Sequence, residues 1–189
     1  MIRSYFGLQR NPFDTENLAL LEHQQQVLDI LRVHAQQGGL CLVLGEPGTG
    51  KSVLKQALVN HDPKRMMTPV VNRTLHTYHN TLRILCEAFQ IEFEGRDHHC
   101  ERLLLQEAFR LQRTGKMLVP IIDDACLMQS DCPRKLRLLF ENFPHSHNLV
   151  PIGQPPLLQS LTLNVRSAEG LLRRTRNLRL SALPEPVRE

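Results

Sequence analysis

The residues with the most chemistry stand in one run, Gly45-Glu46-Pro47-Gly48-Thr49-Gly50-Lys51-Ser52, which satisfies G-x-x-x-x-G-K-[ST] at every fixed position. Glycines at this spacing let successive backbone N–H groups turn inward around phosphate oxygens. A helix starting at Lys51 aims the positive end of its dipole at the same point. In such a cradle the lysine reaches the β- and γ-phosphates, and the Ser52 hydroxyl ligates Mg²⁺. The nucleotide-binding stretch is read as Gly45 through Ser52 with Val53.

A second acidic element follows later in the chain. The apolar run Met117–Ile122 leads directly into Asp123-Asp124. Asp123 is expected to hold Mg²⁺ through water, and Asp124 to orient or deprotonate an attacking water. The plainer alternative is that the two aspartates cap the next segment. A glutamate at position 124 would reach about 1.5 Å further. Because a misplacement of ~1 Å costs about a hundredfold in rate, slow hydrolysis is expected if Asp124 does this work.

These residues need a scaffold that presents them together. Helical periodicity alternates with short apolar runs bounded by Gly, Pro or Asn, the mark of a parallel sheet covered by helices. The expected helices are Leu18–Gln37, Lys51–Asn60, Thr77–Phe89, His98–Arg113, Pro133–Phe143 and Pro155–Leu163. The expected strands are Gly39–Leu44, Pro69–Asn72, Met117–Ile122, Leu149–Ile152 and Asn177–Leu183. In the helix from His98, Leu103, Leu104, Ala108 and Leu111 make the core stripe. Pro120 removes one ladder donor from the most apolar strand, an awkward feature for a central position.

At 189 residues the chain has the length of one domain with a real core, and its 41% hydrophobic and 22% charged residues exclude wholesale disorder. No apolar run is long enough to cross a bilayer, and no secretory signal is visible, so a soluble, cytoplasmic protein is expected. Five cysteines without paired spacing read as free thiols. A formal charge of +4 permits an acidic partner without requiring one; the carboxyl end is the more basic, with Arg166, Arg173, Arg174, Arg176, Arg179 and Arg188. His98-His99-Cys100 and His145-Ser146-His147 contain zinc-ligating residue types, but neighbouring side chains diverge and no second pair completes four ligands.

Three further stretches carry a family likeness: Tyr5-Phe6-Gly7-Leu8 with Asn11-Pro12-Phe13; Leu136-Arg137-Leu138-Leu139 with Glu141-Asn142; and Ile152-Gly153-Gln154-Pro155 followed by Leu157. With the two nucleotide motifs, they resemble the AAA+ ATPases of the general secretion pathway A type and their relatives among transposon-encoded target-selection ATPases. The resemblance implies an α/β P-loop NTPase fold, a parallel sheet sandwiched between helices, that binds ATP with Mg²⁺. It implies one AAA+ core over 1–189: an opening segment 1–17 near the adenine, an αβα core over 18–183 and a tail at 184–189. Phe6–Phe13 would lie beside the adenine or act as a hydrophobic plug. Gln154 is similar to the sensor of the γ-phosphate, or is an ordinary turn amide. Either Arg173 or Arg174 looks like the arginine finger that reaches into a neighbouring subunit, which implies a homo-oligomer; a solvated basic face is the alternative. The chain departs from the pattern in carrying Asp124 where Glu is usual, and it ends at Glu189 without room for the usual helical lid.

The resemblance supports three uses of the ATP. The first is an accessory role in DNA transposition, with DNA and a transposase as partners and Arg73, Arg134, Lys135 and Arg137 as candidate phosphate contacts. The second is a secretion or pilus-assembly ATPase working through a membrane partner. The third is a scaffold that binds ATP without hydrolysing it.

Overall fold

The computed structural model describes residues 7, 20–37, 39–71, 77–92, 95–129, 131–145, 147–158 and 175–180. In chain order these form α1 (Glu22–Gln37), β1 (Gly39–Gly45), α2 (Lys51–His61), β2 (Met66–Met67), β3 (Val70–Val71), α3 (Tyr78–Ala88) and α4 (Asp97–Arg113). There follow β4 (Met117–Leu118), β5 (Ile121–Ile122), a 3-10 turn at Ala125–Leu127, α5 (Cys132–Glu141), β6 (Asn148–Gly153) and β7 (Thr175–Leu180).

Five strands form a parallel sheet in the order β3-β5-β6-β1-β7, and β2 pairs with β4, also in parallel. A parallel strand in mid-sheet must be apolar on both faces, and β1 meets this by alternation. Leu42 and Leu44 enter one core with Leu82, Leu85, Leu104 and Leu136 from α3, α4 and α5. Cys41 and Val43 enter the other with Leu28, Leu31, Leu54 and Leu58 from α1 and α2. The result is the expected three-layer α/β sandwich with a core on each side of the sheet. Truncating one of these buried leucines to alanine should cost about 2–5 kcal/mol.

The expected strand Met117–Ile122 is divided at Val119-Pro120 into β4 and β5. Its pairing nevertheless continues across the division. The amides of Met117, Val119, Ile121 and Asp123 donate in turn to the carbonyls of Arg65, Met67, Pro69 and Val71 at 2.7–3.0 Å. Donors in a strand point alternately to its two neighbours, so Pro120 removes nothing from this row, and its own carbonyl accepts from Val150 at 2.9 Å.

Other boundaries also shift. Helix α1 begins at Glu22 instead of Leu18, and the Leu21 amide donates to the Gln24 side chain at 3.1 Å. In α4 the fully buried stripe is Cys100, Leu104, Ala108 and Leu111, spaced by four, four and three, whereas Leu103 is half-buried. Strand β6 extends one residue at each end of the expected Leu149–Ile152, α5 runs Cys132–Glu141, and β7 starts at Thr175. Of the expected helix Pro155–Leu163, Pro155 lies in a turn, residues 156–158 are helical and 159–163 lie outside the described residues, as do Asn72 and 181–183.

His147 ties two layers together. Its Nδ1 accepts from the Leu118 amide and its Nε2 donates to the Ala108 carbonyl, both at 2.8 Å. Burial lowers its pKa from the ordinary 6.5, so it stays neutral in place. Among the described residues no helix is long and apolar enough to cross a membrane, and no cluster of three metal-ligating side chains occurs.

Candidate nucleotide site

The glycine-rich run leaves β1 at its carboxyl end and opens α2. Gly48 and Gly50 have φ of +84° and +86°, left-handed values that turn successive amides toward one side. Gly50 is constrained twice, since a Cβ there would also strike the Gln24 side-chain amide. At Gly45 a Cβ would meet the Thr49 hydroxyl and lie 3.1 Å from Leu180 Cβ on β7. Thr49 is buried, and its hydroxyl donates to the Glu46 carbonyl at 2.8 Å. Glu46, Pro47 and Gly48 are exposed, so the loop's outer rim is open to a ligand.

Lys51 lies over this loop. Its Nζ donates to the Gly45 and Glu46 carbonyls, each at 2.8 Å, which keeps the ammonium at the mouth of the cradle. Ser52 is exposed and Val53 half-buried in the same first turn, which carries no acidic residue to oppose an anion. Leu54 and Leu58 root the helix in the core.

The acidic end of the ladder faces the same helix. Asp123 follows β5, and its Oδ2 accepts from Lys55 Nζ at 2.5 Å, joining the strand to α2 one turn below Lys51. Its Oδ1 accepts from the Asp124 amide at 3.1 Å. Asp124 has φ +48° and ψ +42°, the left-handed region, and its carbonyl receives the Leu127 amide at 2.9 Å. Asp and Asn tolerate that conformation better than longer side chains, which gives a local reason for aspartate at this position. Ser52 and Asp123 are hard oxygen donors, one hydroxyl and one carboxylate, the kind and number that a partly hydrated Mg²⁺ takes, so the donor set fits that ion.

Between the cradle and the acidic turn stands the end of β6. Leu44 pairs with Gly153, and Ile122 with Pro151, so β1 and β6 end within a residue of each other and β5 ends two residues before β6, leaving Asp123 and Asp124 to follow it. A Cβ on Gly153 would lie 3.3 Å from the Cys126 amide and 3.7 Å from that of Ala125, which places the following Gln154 beside the turn that carries Asp124. Gln154 is exposed. The structure thus gathers Gly45–Val53, Asp123, Asp124 and Gln154 at one edge of the sheet. Arg173, Arg174, Phe6 and Phe13 lie outside the described residues.

Two residues escaped the sequence reading. Gln24, buried in α1, donates from Nε2 to the Thr49 carbonyl at 3.4 Å and so braces the loop. The other is Lys55; its position four residues after Lys51, on the same helix face, is the available signal. His23, to which the sequence assigns no role, has its Nε2 buried without a hydrogen-bond partner among the described residues.

Of the candidate phosphate contacts, Lys135 is paired with Asp131 at 2.7 Å and Arg137 with Glu141 at 2.7 Å, Arg134 is exposed, and Arg73 lies outside the described residues. All five cysteines are free thiols. Burial pushes Cys86 up to about 12, with the Cys100 thiol beside it adding to the rise, and pushes Cys132 up to about 11. Such thiols are poor nucleophiles.

A family model described as an AAA domain matches residues 33–161. The general secretion pathway protein A of Aeromonas hydrophila is 27% identical over 180 residues, covering 85% of this chain and 31% of that protein. Among solved structures, the Aeropyrum pernix ORC2 protein in its ADPNP-ADP complexes aligns with TM-score 0.65 and 13% identity over 88% of this chain and 50% of that one. The Aeropyrum pernix ORC1 protein in complex with DNA aligns with TM-score 0.63 and 17% identity over 92% and 48%. The chain therefore spans under a third of its secretion relative and about half of each solved chain, and at these identities the solved structures speak for the fold.

Proposed function

The chain belongs to the AAA-domain family, and on that premise we propose that it binds ATP with Mg²⁺ at Gly45–Val53 and hydrolyses it slowly to ADP and phosphate. One observation carries this reading: a loop with two left-handed glycines opens a helix whose Lys51 faces the loop and whose Lys55 reaches Asp123 on the acidic strand.

Each residue then has a task. The amides of Gly45–Ser52 surround the phosphates, and the Lys51 ammonium exchanges its loop carbonyls for phosphate oxygens. Ser52 and Asp123 hold Mg²⁺, which neutralises charge on the phosphates when bound. Asp124 accepts a proton from, or orients, the attacking water. Gln154, beside that turn, hydrogen-bonds the γ-phosphate. Arg173 or Arg174 serves a neighbouring copy's site as arginine finger, so the working form is a homo-oligomer. The opening segment 1–17 covers the adenine, 18–183 is the core of one domain, and 184–189 is a tail. Phosphate release by the purified chain, with Lys51→Ala as the blank, tests hydrolysis; equal rates with retained nucleotide binding would favour an ATP-binding scaffold.

For the process served, the proposed role is an accessory cytoplasmic ATPase of DNA transposition that binds DNA and directs a transposase. The structural likeness to a DNA-bound ORC1 protein supports a DNA partner. A secretion ATPase acting through a membrane partner is the second reading, favoured by the 27% identity to a general secretion pathway protein A. Duplex binding that depends on ATP distinguishes the first from the second.

A further inference from the structure

At the opposite edge of the sheet the chain forms a second basin. The ladder that ends at Asp123 begins at Met117, six residues earlier, so this edge lies roughly 20 Å from the acidic turn. A cavity of about 560 Å³ opens there, lined by Arg32, His61, Asp62, Lys64, Arg65 and Lys116 around the starts of β2 and β4. Four permanent cations face one carboxylate. Lys64, Arg65 and Lys116 are exposed and have no ion-pair partner among the described residues. The Asp62 carboxylate is engaged locally, accepting from the Arg65 amide at 3.2 Å. Arg32 donates from Nη1 to Asp29 at 2.8 Å but keeps its Nε buried without an acceptor among the described residues.

Lys64, Arg65 and Lys116 thus differ from Arg83, Arg110, Lys135 and Arg137, each of which is paired with a carboxylate three or four residues away in sequence. The C-termini of α2 and α4 end beside the cavity and place about −0.5 charge each there. With Arg32 balanced by Asp29, the lining keeps a side-chain surplus of two, which that offset of about one reduces without cancelling.

We propose that this basin is a second phosphate-binding site, separate from the glycine-rich loop, and that the phosphodiester backbone of duplex DNA occupies it. The DNA occupant rests on the transposition reading above; the phosphate chemistry does not. Arg65 supplies a fork for paired phosphate oxygens, and Lys64 and Lys116 supply point charges beside it.

The test uses the whole chain and the double variant Arg65→Glu/Lys116→Glu. Both side chains are exposed, so folding should persist, and unchanged ATP binding checks this. Fluorescence anisotropy with a labelled 30-bp duplex, in ATP analogue and across a salt series, is expected to show affinity falling at least about tenfold. The slope of log K against log salt should shrink by about two. A second arm titrates inorganic tripolyphosphate into the Lys51→Ala chain, where the loop no longer competes, with and without the two reversals. Loss of tripolyphosphate binding on reversal, with no duplex binding by the unaltered chain, would keep the phosphate site and remove DNA as its occupant. Duplex binding whose affinity and slope ignore the reversals would overturn the site and leave the DNA role standing. Binding of neither probe by the unaltered basin would overturn both.

Discussion

Lys55 Nζ and Asp123 Oδ2 stand 2.5 Å apart, joining the helix that follows the glycine-rich loop to the end of the acidic strand. Both side chains are about four-fifths shielded from solvent, at 20% and 23% exposure, so water and salt screen the pair less than an exposed one. The ammonium occupies the carboxylate that is proposed to serve Mg²⁺, and the two cations should therefore oppose each other.

Replacing Lys55 with methionine removes that opposition while keeping the aliphatic stem. The Mg²⁺ concentration that half-saturates ATP binding should fall, by about tenfold if the competition amounts to ~1.4 kcal/mol. A titration of Mg²⁺ followed with a fluorescent ATP analogue measures it. A rise in the Mg²⁺ requirement would mean that Lys55 instead holds Asp123 in position for the ion.

Asp124→Asn separates backbone from chemistry. Asparagine accepts the left-handed φ of +48° as aspartate does, so the turn should survive, but its amide does not take a proton from water. ATP affinity should stay within about twofold while phosphate release falls by about a hundredfold or more. Retention of the full rate would assign the aspartate to capping alone.

Gln24→Leu tests the brace beneath the loop. The substitution strands the Leu21 amide and removes the donor to the Thr49 carbonyl, at a cost of about 1–3 kcal/mol. Thermal melting should drop by several degrees, with weakened ATP binding measured alongside. An unchanged melting temperature would show that water substitutes for the side chain.

His147 sets a pH signature. Its folded-state pKa lies below the ordinary 6.5 because burial penalises the charged ring. The unfolded chain therefore binds the extra proton first as pH falls. Stability from this group is whole above about 6.5 and is lost below it, with a slope of up to ~1.4 kcal/mol per pH unit, until the folded ring also titrates. Urea unfolding of the wild type and of His147→Gln from pH 7.5 to 5 should show a shallower fall in the variant, which starts from lower stability because the Leu118–Ala108 tie is gone. Parallel slopes would contradict the assignment.

The parts legible in the sequence were those written in consecutive residues. Gly45–Ser52 announces its turn, helix start and chemistry in eight positions. Pro120 looked disruptive because a linear reading does not show which neighbour each amide faces. In the sequence His147 stands among metal-ligating types, but its role depends on Leu118 and Ala108, distant in sequence and joined only by the fold. Lys55 was within reach of helical spacing from Lys51, yet its partner comes 68 residues later. The basic basin draws on α1, the turn after α2 and the turn after α4, so no local pattern marks it.

Isothermal calorimetry of ATP into the whole chain with Mg²⁺, beside the same titration of Lys51→Ala, decides whether the glycine-rich loop grips a nucleoside triphosphate. Saturable heat with one nucleotide per chain is expected, with a loss of at least about tenfold in affinity in the variant. Absence of heat from folded wild type, or equal affinity in the two chains, would contradict that grip.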